Sequence, residues 1–405
     1  MATTTFNYRV RTKQGTIVEG SAEGDSTAAV AQRLRSQNLI PLEVKPAGGK
    51  LKKELTIIPK RVKLKDLAVF SRQFATMISA GLSLLRGLNI LADQTENPKL
   101  AEAITHVRDD VERGGSLSAS MSKHPKVFNS LYVSLVRAGE TGGQLETVLM
   151  RVADGLEKDY KLRQQIKSAM TYPVVVFGLA IVLVTMMLVF IVPTFAKMFD
   201  SLGGELPLPT KILVAMSDKA VFLVPIAAIT GIVAFIMYKR TRKSNEAFGY
   251  RADRLKLKLP VFGDLFSKIA LTRFARTLAL LLRSGVPVLQ ALDITADATG
   301  NYVVARASRD VRDSVREGQS IAGPLKNHDV FPPMVVQMIS VGEDTGEVDE
   351  MLDKIADFYE AEVESTTESL TSLLEPMMMA ILGGLIGGMV ISLYLPMFKI
   401  FDLVR

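Results

Sequence analysis

The sequence contains no cysteine, no tryptophan and only three histidines, His106, His124 and His328. The lack of cysteine excludes disulfide bonds and thiolate metal sites. With so few histidines, a conventional zinc or iron site is not expected either. We therefore expect the chain to use no metal and no cofactor.

Strong charge of one sign is also lacking, because the formal net charge is only +7 while apolar residues make up 48% of the 405 residues. A basic chain can bind nucleic acid, but one this apolar is more typical of a membrane protein whose Lys and Arg flank its spans. We expect contact with membrane lipids and none with nucleic acid. The start, MATTTFNYRV, has no charged region before an apolar core, so we expect no cleavable signal peptide.

Three uncharged apolar runs are long enough, or nearly so, for a bilayer, which takes roughly 20 helical residues. They are VVVFGLAIVLVTMMLVFIV (174–192), AVFLVPIAAITGIVAFIM (220–237) and MMMAILGGLIGGMVISLYL (377–395). We predict transmembrane helices at 172–195, 219–238 and 375–397, and expect Pro225 to break the second. The alternative for each run is a buried helix of a soluble protein.

Basic residues beside the spans predict their orientation, because positive loops stay in the cytoplasm. EKDYKLRQQIK precedes the first span and KRTRK follows the second, whereas TFAKMFDSLGGELPLPTK (194–211) between them has two acids and two lysines. We therefore expect the N-terminus and the regions 67–170 and 239–373 in the cytoplasm. The 196–218 loop and the 398–405 tail are expected on the other side.

The chain contains an internal duplication. FSRQFATMISAGLSLLRGLNILAD (70–93) aligns with FARTLALLLRSGVPVLQALDITAD (274–297), and VRDDVERGGSL (107–117) with VRDSVREGQSI (311–321). Such self-similarity indicates a repeated structural unit. Each copy is a soluble domain followed by one span, so the unpaired span at 219–238 returns the chain to the cytoplasm. Both copies then face the same way, unlike the inverted repeats of many transporters.

Apolar residues within each copy recur at intervals of three and four, as in Phe70, Phe74 and Ile78. Gly81 and Gly285 stand where a helix should end, as glycine caps do. We predict a mostly α polytopic membrane protein with two tandem homologous cytoplasmic bundles of about six helices each, at 67–170 and 239–373.

Residues 1–50 lie outside the duplication and have the pattern of a small α+β module. FNYRV and TIVEG flank the turn TKQG as a hairpin would, DSTAAVAQRLRSQN reads as a capped helix, and LIPLEV as a strand. A basic linker follows at 51–66. Its charges are most often only solvated, although near the inner leaflet they can contact anionic lipid.

A Gly-Glu-(x)-Thr-Gly motif occurs once in each copy. Its residues are Gly139, Glu140, Thr141, Gly142 and Gly143 in the first copy, and Gly342, Glu343, Asp344, Thr345 and Gly346 in the second. No Lys follows, as it would in a phosphate-binding loop. One Glu and one Thr supply too few oxygen ligands for a hard cation. The histidines at matching positions, His124 and His328, are interpreted as turn residues rather than as partners for acid catalysis. We therefore expect no catalytic residue.

A tight turn between two helices explains the motif better. The threonine, or the glycine after it, can cap the next helix, and Glu146 and Asp349 place negative charge in that helix's first turn. Because Asp344 shifts the threonine relative to the glutamate, the two loops need not be equivalent. Two roles remain open for the motif glutamates, which either only orient the turn or also contact a partner.

The third span contains two overlapping Gly-x-x-x-Gly pairs, formed by Gly383, Gly384, Gly387 and Gly388. Small residues at this spacing let membrane helices approach closely. Together with Pro173 and Pro376, which lie at the start of the first and third spans, they are interpreted as a packing site for another span or subunit. Simple tolerance of glycine in membranes is the alternative.

Two tandem motif-bearing domains, each followed by a proline-led span, resemble the GspF/PilC family of inner-membrane platform proteins. The resemblance extends over nearly the whole chain and implies a non-enzymatic scaffold of type IV pilus biogenesis. It places the chain in the bacterial inner (cytoplasmic) membrane, with a cytoplasmic N-terminus and a periplasmic C-terminus.

The same resemblance implies the partners: a cytoplasmic hexameric assembly ATPase, pilin or pseudopilin, inner-membrane alignment-complex proteins and further copies of the chain. The equivalent platform of a type II secretion or DNA-uptake system is the alternative. A membrane transporter or an intramembrane protease is remote, because the spans contain no ionisable residue at mid-membrane and all three histidines lie outside them.

Overall fold

The computed structural model of the chain describes residues 4–11, 17–24, 26–36, 39–46, 61–201 and 206–403. Residues 1–61 and 62–405 form two separate compact units. Most of the predicted linker at 51–66 lies outside the described residues, as do parts of the N-terminal module, of the 196–218 loop and of the 398–405 tail.

The N-terminal unit is a three-stranded antiparallel sheet with one helix. Its elements are β1 (Thr4–Arg11), β2 (Ile17–Gly24), α1 (Thr27–Ser36) and β3 (Ile40–Pro46), with strand order β2-β1-β3. Val30 and Leu34 are four residues apart and therefore share one face of α1. They form a small buried core with Val10 of β1.

The first bundle contains six helices around one apolar core. They are α2 (Leu64–Ser79), α3 (Leu84–Gln94), α4 (Pro98–Glu112), α5 (Leu117–Ser122), α6 (Ser130–Thr141) and α7 (Leu145–Met186). Phe70, Phe74 and Phe128 are almost completely buried at its centre, and Asn97 and Asn129 cap α4 and α6 through their side-chain oxygens. A π-helical turn, Met187–Ile191, joins α7 to α8 (Val192–Ser201) without an intervening loop.

The second bundle repeats this arrangement. After α9 (Leu208–Ser244) and α10 (Glu246–Leu257) come α11 (Phe262–Arg283), α12 (Val288–Ala298), α13 (Tyr302–Arg316), α14 (Ala322–Leu325), α15 (Pro333–Thr345) and α16 (Val348–Leu403). The rings of Phe274 and Phe331 are 5.0 Å apart. They occupy the positions of Phe70 and Phe128, whose rings are 6.0 Å apart.

Glycine ends the first helix of each bundle, as predicted. Gly81 follows α2 with φ +84°, and Gly285 follows α11 with φ +79°. Residues other than glycine rarely adopt this left-handed backbone conformation, which turns the chain sharply after the last helical residue.

Three helices of the described residues are long and apolar enough to cross a membrane: Leu145–Met198, Phe222–Arg242 and Val348–Pro396. The expectation that Pro225 breaks the second span is wrong, because α9 continues through it. One proline removes a single backbone hydrogen bond, and membrane helices tolerate this loss where neighbouring groups compensate. Pro173 and Pro376 likewise lie inside α7 and α16.

A polar joint connects the C-terminal end of α9 to the second bundle. Arg242 Nη2 donates hydrogen bonds to Asp253 Oδ2 (2.8 Å) and to the Gly300 carbonyl oxygen (2.9 Å). The backbone N–H of Tyr302 donates to the same Asp253 oxygen (3.0 Å). The Asp253 side chain is only 3% exposed. A Cβ at Gly249 would lie 2.6 Å from the Tyr302 ring, so this approach requires glycine.

Candidate functional site

The motif glutamates hold the start of a neighbouring short helix. Glu140 accepts hydrogen bonds from the backbone N–H groups of Leu117 and Ser118, the latter at 3.0 Å, at the start of α5. Free N–H groups and the helix dipole both favour a carboxylate at a helix N-terminus. The first of the two roles left open by the sequence is therefore present in the structure: the glutamate orients this turn.

Glu343 makes the same contacts in the second bundle. It accepts hydrogen bonds from the N–H groups of Ile321 and Ala322, the latter at 3.0 Å, at the start of α14. Both carboxylates are thus used in the same way, and each connects the end of one helix to the start of another. The sequence does not reveal which residues donate to these glutamates, because the donors are backbone N–H groups.

The predicted threonine caps are wrong. Thr141 and Thr345 are the last residues of α6 and α15 rather than the caps of the helices that follow. The Thr345 hydroxyl donates back to the Val341 carbonyl oxygen (2.9 Å), the usual bond of a hydroxyl within a helical turn. Glu146 and Asp349 do lie in the first turns of α7 and α16, as predicted.

The two motif loops, which need not be equivalent by their sequence, have the same length. Gly143 and Gly346 each stand three residues after the motif glutamate and have φ +65° and +79°. Asp344 therefore occupies the position of Thr141 and is not an insertion, so the two turns have equal length. The loops differ in the exposed residues at these positions, and α15 extends one residue further than α6.

The first glycine of each motif permits close helix packing. A Cβ at Gly139 would lie 3.0 Å from the Val148 Cβ atom, and a Cβ at Gly342 would lie 2.9 Å from the Val348 Cα atom. Both glycines are buried. Each bundle therefore uses the glycine to bring α6 against α7, or α15 against α16, directly beside the motif turn.

A repeated arginine clamp joins the first and last helices of each bundle. In the first bundle Arg72 of α2 contacts Asp154 and, at 2.6 Å, Glu157 of α7. These hydrogen bonds raise the pKa of Arg72, and the bond from Arg72 lowers the pKa of Glu157 below its ordinary value.

Arg276 of α11 is the counterpart in the second bundle and has three carboxylate partners on α16, namely Asp353 (2.8 Å), Asp357 and Glu360 (2.9 Å). Burial lowers the pKa of Arg276, but the bonds and charges of Asp357 and Glu360 outweigh it and the pKa rises. Sequence alignment paired Arg72 with Arg276 but did not identify this role. Acids spaced three apart at 154 and 157, and again at 357 and 360, were the available signal.

The two bundles contact each other along α7 and α16. Lys158 Nζ lies 3.3 Å from Asp357 Oδ1, and Gln165 Nε2 donates to Glu364 Oε1 (3.0 Å). Gly155 of α7 faces Leu280 of α11, where an added Cβ would lie 3.2 Å from a leucine methyl group. Buried residues of both bundles belong to one continuous apolar cluster, so the tandem domains pack as a pair.

The glycines of the third span face open space. Among the described residues, no atom outside the neighbouring backbone lies within 4 Å of a Cβ added at any of the four positions, Gly383, Gly384, Gly387 and Gly388. Pro173 is buried, whereas Pro376 is exposed. The two prolines therefore differ in burial. The glycine face of α16 is not covered by the described part of this chain.

Clusters of metal-binding type are not found in the described ranges, where no three or more His, Asp and Glu side chains are arranged to hold an ion. The repeated features are instead contacts between helices: two glutamate tethers, two arginine clamps and two glycine approaches. These contacts fix the packing of the helices in two similar bundles. Each bundle is continuous with a membrane helix.

Comparison with known proteins identifies the same duplication. Residues 70–193 and 274–396 each match the family described as type II secretion system (T2SS), protein F, and residues 1–45 match the N-terminal domain of that protein. The chain is 45% identical over 401 residues to the type IV pilus assembly protein PilC of Thermus thermophilus, covering 98% of both chains.

Two further relatives are less similar to the chain. PilC of Pseudomonas aeruginosa is 39% identical over 378 residues, covering 93% of this chain and 99% of its own. The type II secretion system protein F of Vibrio cholerae is 34% identical over 357 residues, covering 87% of each chain. Similarity is therefore higher to these pilus assembly proteins than to this secretion protein.

Proposed function

The chain belongs to the type II secretion system protein F family, and we propose that it is the inner-membrane platform of a type IV pilus. The observation that carries the proposal is the 45% identity to a type IV pilus assembly protein over 98% of both chains. The family and the three apolar helices make it a multi-pass membrane protein. In this role it is a scaffold rather than an enzyme, and it couples an assembly ATPase to the insertion of pilin subunits.

The proposed topology has a cytoplasmic N-terminus and a periplasmic C-terminus. Because the chain has no cysteine, single cysteines report the side on which they lie. Leu208→Cys, at a residue 76% exposed near the predicted periplasmic loop, should react with an impermeant maleimide in intact spheroplasts. Gln319→Cys, exposed between α13 and α14, should react only after lysis. The reverse pattern would contradict the orientation.

The proposed contact for the cytoplasmic hexameric ATPase includes the exposed residues of both motif turns. Thr141, Gly142, Asp344 and Thr345 are exposed, while the neighbouring glutamates are occupied by their backbone donors. Thr141→Cys and Thr345→Cys carrying a photo-crosslinker should each capture the ATPase in cells. Ser122→Cys, at the other end of α5, is the matched control, and equal capture there would contradict this contact.

The proposed homo-oligomer uses the uncovered glycine face of α16. Gly387→Leu should reduce the size of the complex on a native gel, because a bulky side chain prevents close approach of a second helix. Leu385→Ile, at an exposed position on the same helix, is the control. An unchanged complex in Gly387→Leu would contradict the packing role. The remaining proposed partners are pilin or pseudopilin and the inner-membrane alignment proteins.

Deletion of the gene tests the function itself. Surface filaments counted by electron microscopy should disappear, and a plasmid copy of the wild-type gene should restore them, whereas a copy with an early stop codon should not. Persisting filaments with secreted enzymes trapped in the periplasm would favour the type II secretion alternative, which the 34% identical relative keeps open. Loss of DNA uptake alone would favour an uptake filament, and no defect at all would contradict the proposal.

A further inference from the structure

A cavity of about 180 Å³ lies between the two bundles. Helices α6 and α7 of the first bundle and α11 of the second form most of its wall, and the first turn of α2 closes one side. The apolar part of the wall consists mainly of leucines: Leu64, Leu67, Leu131, Leu135, Leu156 and Leu280. Because an apolar cavity of about 150 Å³ accepts benzene, this one has room for a small apolar group.

The cavity also has a cationic end. Arg273 Nε lies 3.7 Å from Asp159 Oδ1, and it is buried without a hydrogen-bond acceptor among the described residues. Asp159 is already engaged by Arg163, whose Nε and Nη2 atoms donate at 3.1 and 2.8 Å. Two guanidinium groups therefore share one carboxylate, which leaves a positive charge in excess.

The arginine one turn later on α11 shows what full compensation looks like. Arg276 has three carboxylate partners, and its pKa rises, whereas burial lowers the pKa of Arg273. Other charged groups in the wall are used elsewhere, since Lys158 pairs with Asp357 and Glu360 pairs with Arg276. The Arg273 side chain is only 28% exposed and its cation lacks a full set of acceptors, which is unfavourable, so an anion is the partner that this end lacks.

We propose that the cavity binds a small organic carboxylate, with its charged group on Arg273 and its apolar body among the leucines. A carboxylate can accept from the terminal nitrogens of the Arg273 guanidinium. An occupant would contact α6 and α7 on one side and α11 on the other, and would therefore hold the two bundles together. The site is independent of the platform function proposed above.

The test uses the full-length protein in phosphatidylcholine nanodiscs and 4-fluorobenzoate as the probe, followed by fluorine NMR. Wild-type protein should bind the probe, and 4-fluorobenzyl alcohol, which has the same shape without the charge, should bind about tenfold more weakly. Arg273→Gln should weaken 4-fluorobenzoate binding about tenfold, and Arg273→Lys should restore part of it.

Two further variants separate this site from general binding. Leu156→Phe should weaken binding of 4-fluorobenzoate by filling the apolar part of the cavity. Arg316→Gln, at an exposed arginine of α13, should leave its binding unchanged. Circular dichroism of each variant verifies that it is folded. Absence of binding to the wild type, or equal binding by Arg273→Gln, would overturn the proposal. Displacement by inorganic phosphate or by phosphatidylglycerol in the disc as effective as by unlabelled benzoate would also overturn it, because the site would then recognise phosphate.

Discussion

The Tyr302 side chain contacts Arg242 twice, once at the backbone carbonyl oxygen and once at the guanidinium group. The Tyr302 hydroxyl donates to the Arg242 carbonyl oxygen (2.9 Å), and the Arg242 guanidinium carbon lies 5.4 Å from the centre of the Tyr302 ring. Asp253 completes the joint by accepting from both residues. The second span is thereby fixed to the second bundle, and the described residues of the first copy contain no matching set of contacts.

Removing the acid of this joint should be costly. Asp253→Ala leaves Arg242 and the Tyr302 N–H without their shared acceptor, and we expect a loss of about 3 kcal/mol in the free energy of unfolding. Tyr302→Phe removes one hydrogen bond and should cost about 1 kcal/mol. Hydrogen–deuterium exchange of α10 should rise in Asp253→Ala. Unchanged exchange there would mean that other contacts hold the joint.

The two motif glutamates should have equal effects on stability. Glu140→Ala and Glu343→Ala each leave two backbone N–H groups without an acceptor, so each should cost about 2–3 kcal/mol. Glutamine keeps one acceptor oxygen and should cost about half as much. Thermal unfolding followed by circular dichroism measures both. Full stability of the alanine variants combined with loss of filaments would mean that the glutamates act through a partner instead.

The two arginine clamps should differ in importance. The Arg276 side chain is 14% exposed and has three carboxylate partners, whereas the Arg72 side chain is 31% exposed and has two. Arg276→Met should therefore cost about 3 kcal/mol and Arg72→Met about 1–2 kcal/mol. Arg316→Met, whose side chain is 60% exposed, should change stability by less than about 0.5 kcal/mol. A larger loss in Arg72→Met would contradict this order.

Acid should destabilise the first bundle near the pKa of histidine. Burial lowers the pKa of His124 below its ordinary value of 6.5, and the charge of His106, whose ring stacks on it at 5.3 Å, lowers it further. Asp110 and Glu102 oppose this shift, and Lys123 adds to it. Since the folded chain binds this proton less readily than the unfolded chain, stability is full above pH 6.5 and falls as the pH drops through the folded pKa.

Thermal midpoints between about pH 7.5 and about pH 5.5 measure this effect. His124→Gln should flatten the dependence. His328→Gln is the matched control, because His328 occupies the corresponding position of the second copy and lies 3.5 Å from Asp310 rather than beside a second histidine. If the wild type and His124→Gln lose stability in parallel, His124 is not the group responsible.

Periodicity made much of the fold predictable. The spacing of Phe70, Phe74 and Ile78 indicates a helix, uninterrupted apolar runs indicate spans, and the duplication predicts a second bundle like the first. Gly81 and Gly285 were recognisable as helix ends because glycine alone readily adopts the backbone conformation that such an end requires. These features depend on patterns local to the chain.

The contacts that define the site were harder to predict. Glu140 binds the N–H groups of residues 23 and 22 positions earlier in the chain, and backbone donors are the same in every sequence. Thr345 was predicted to cap the following helix, yet α15 extends through it because its hydroxyl can bond within its own turn. The excess positive charge at Arg273 arises where the two bundles contact each other, and no local sequence pattern predicts that contact.

The unbroken course of α16 has a mechanical consequence. Its 56 residues form a rod about 84 Å long, which begins beside the second motif turn and passes into the apolar span without a loop. Because no loop interrupts it, a movement of the bundle end of α16 is passed along the helix to the apolar span. Because α7 enters its own span in the same way, a tilt or rotation of either bundle would also tilt or rotate the helix that continues from it into an apolar span.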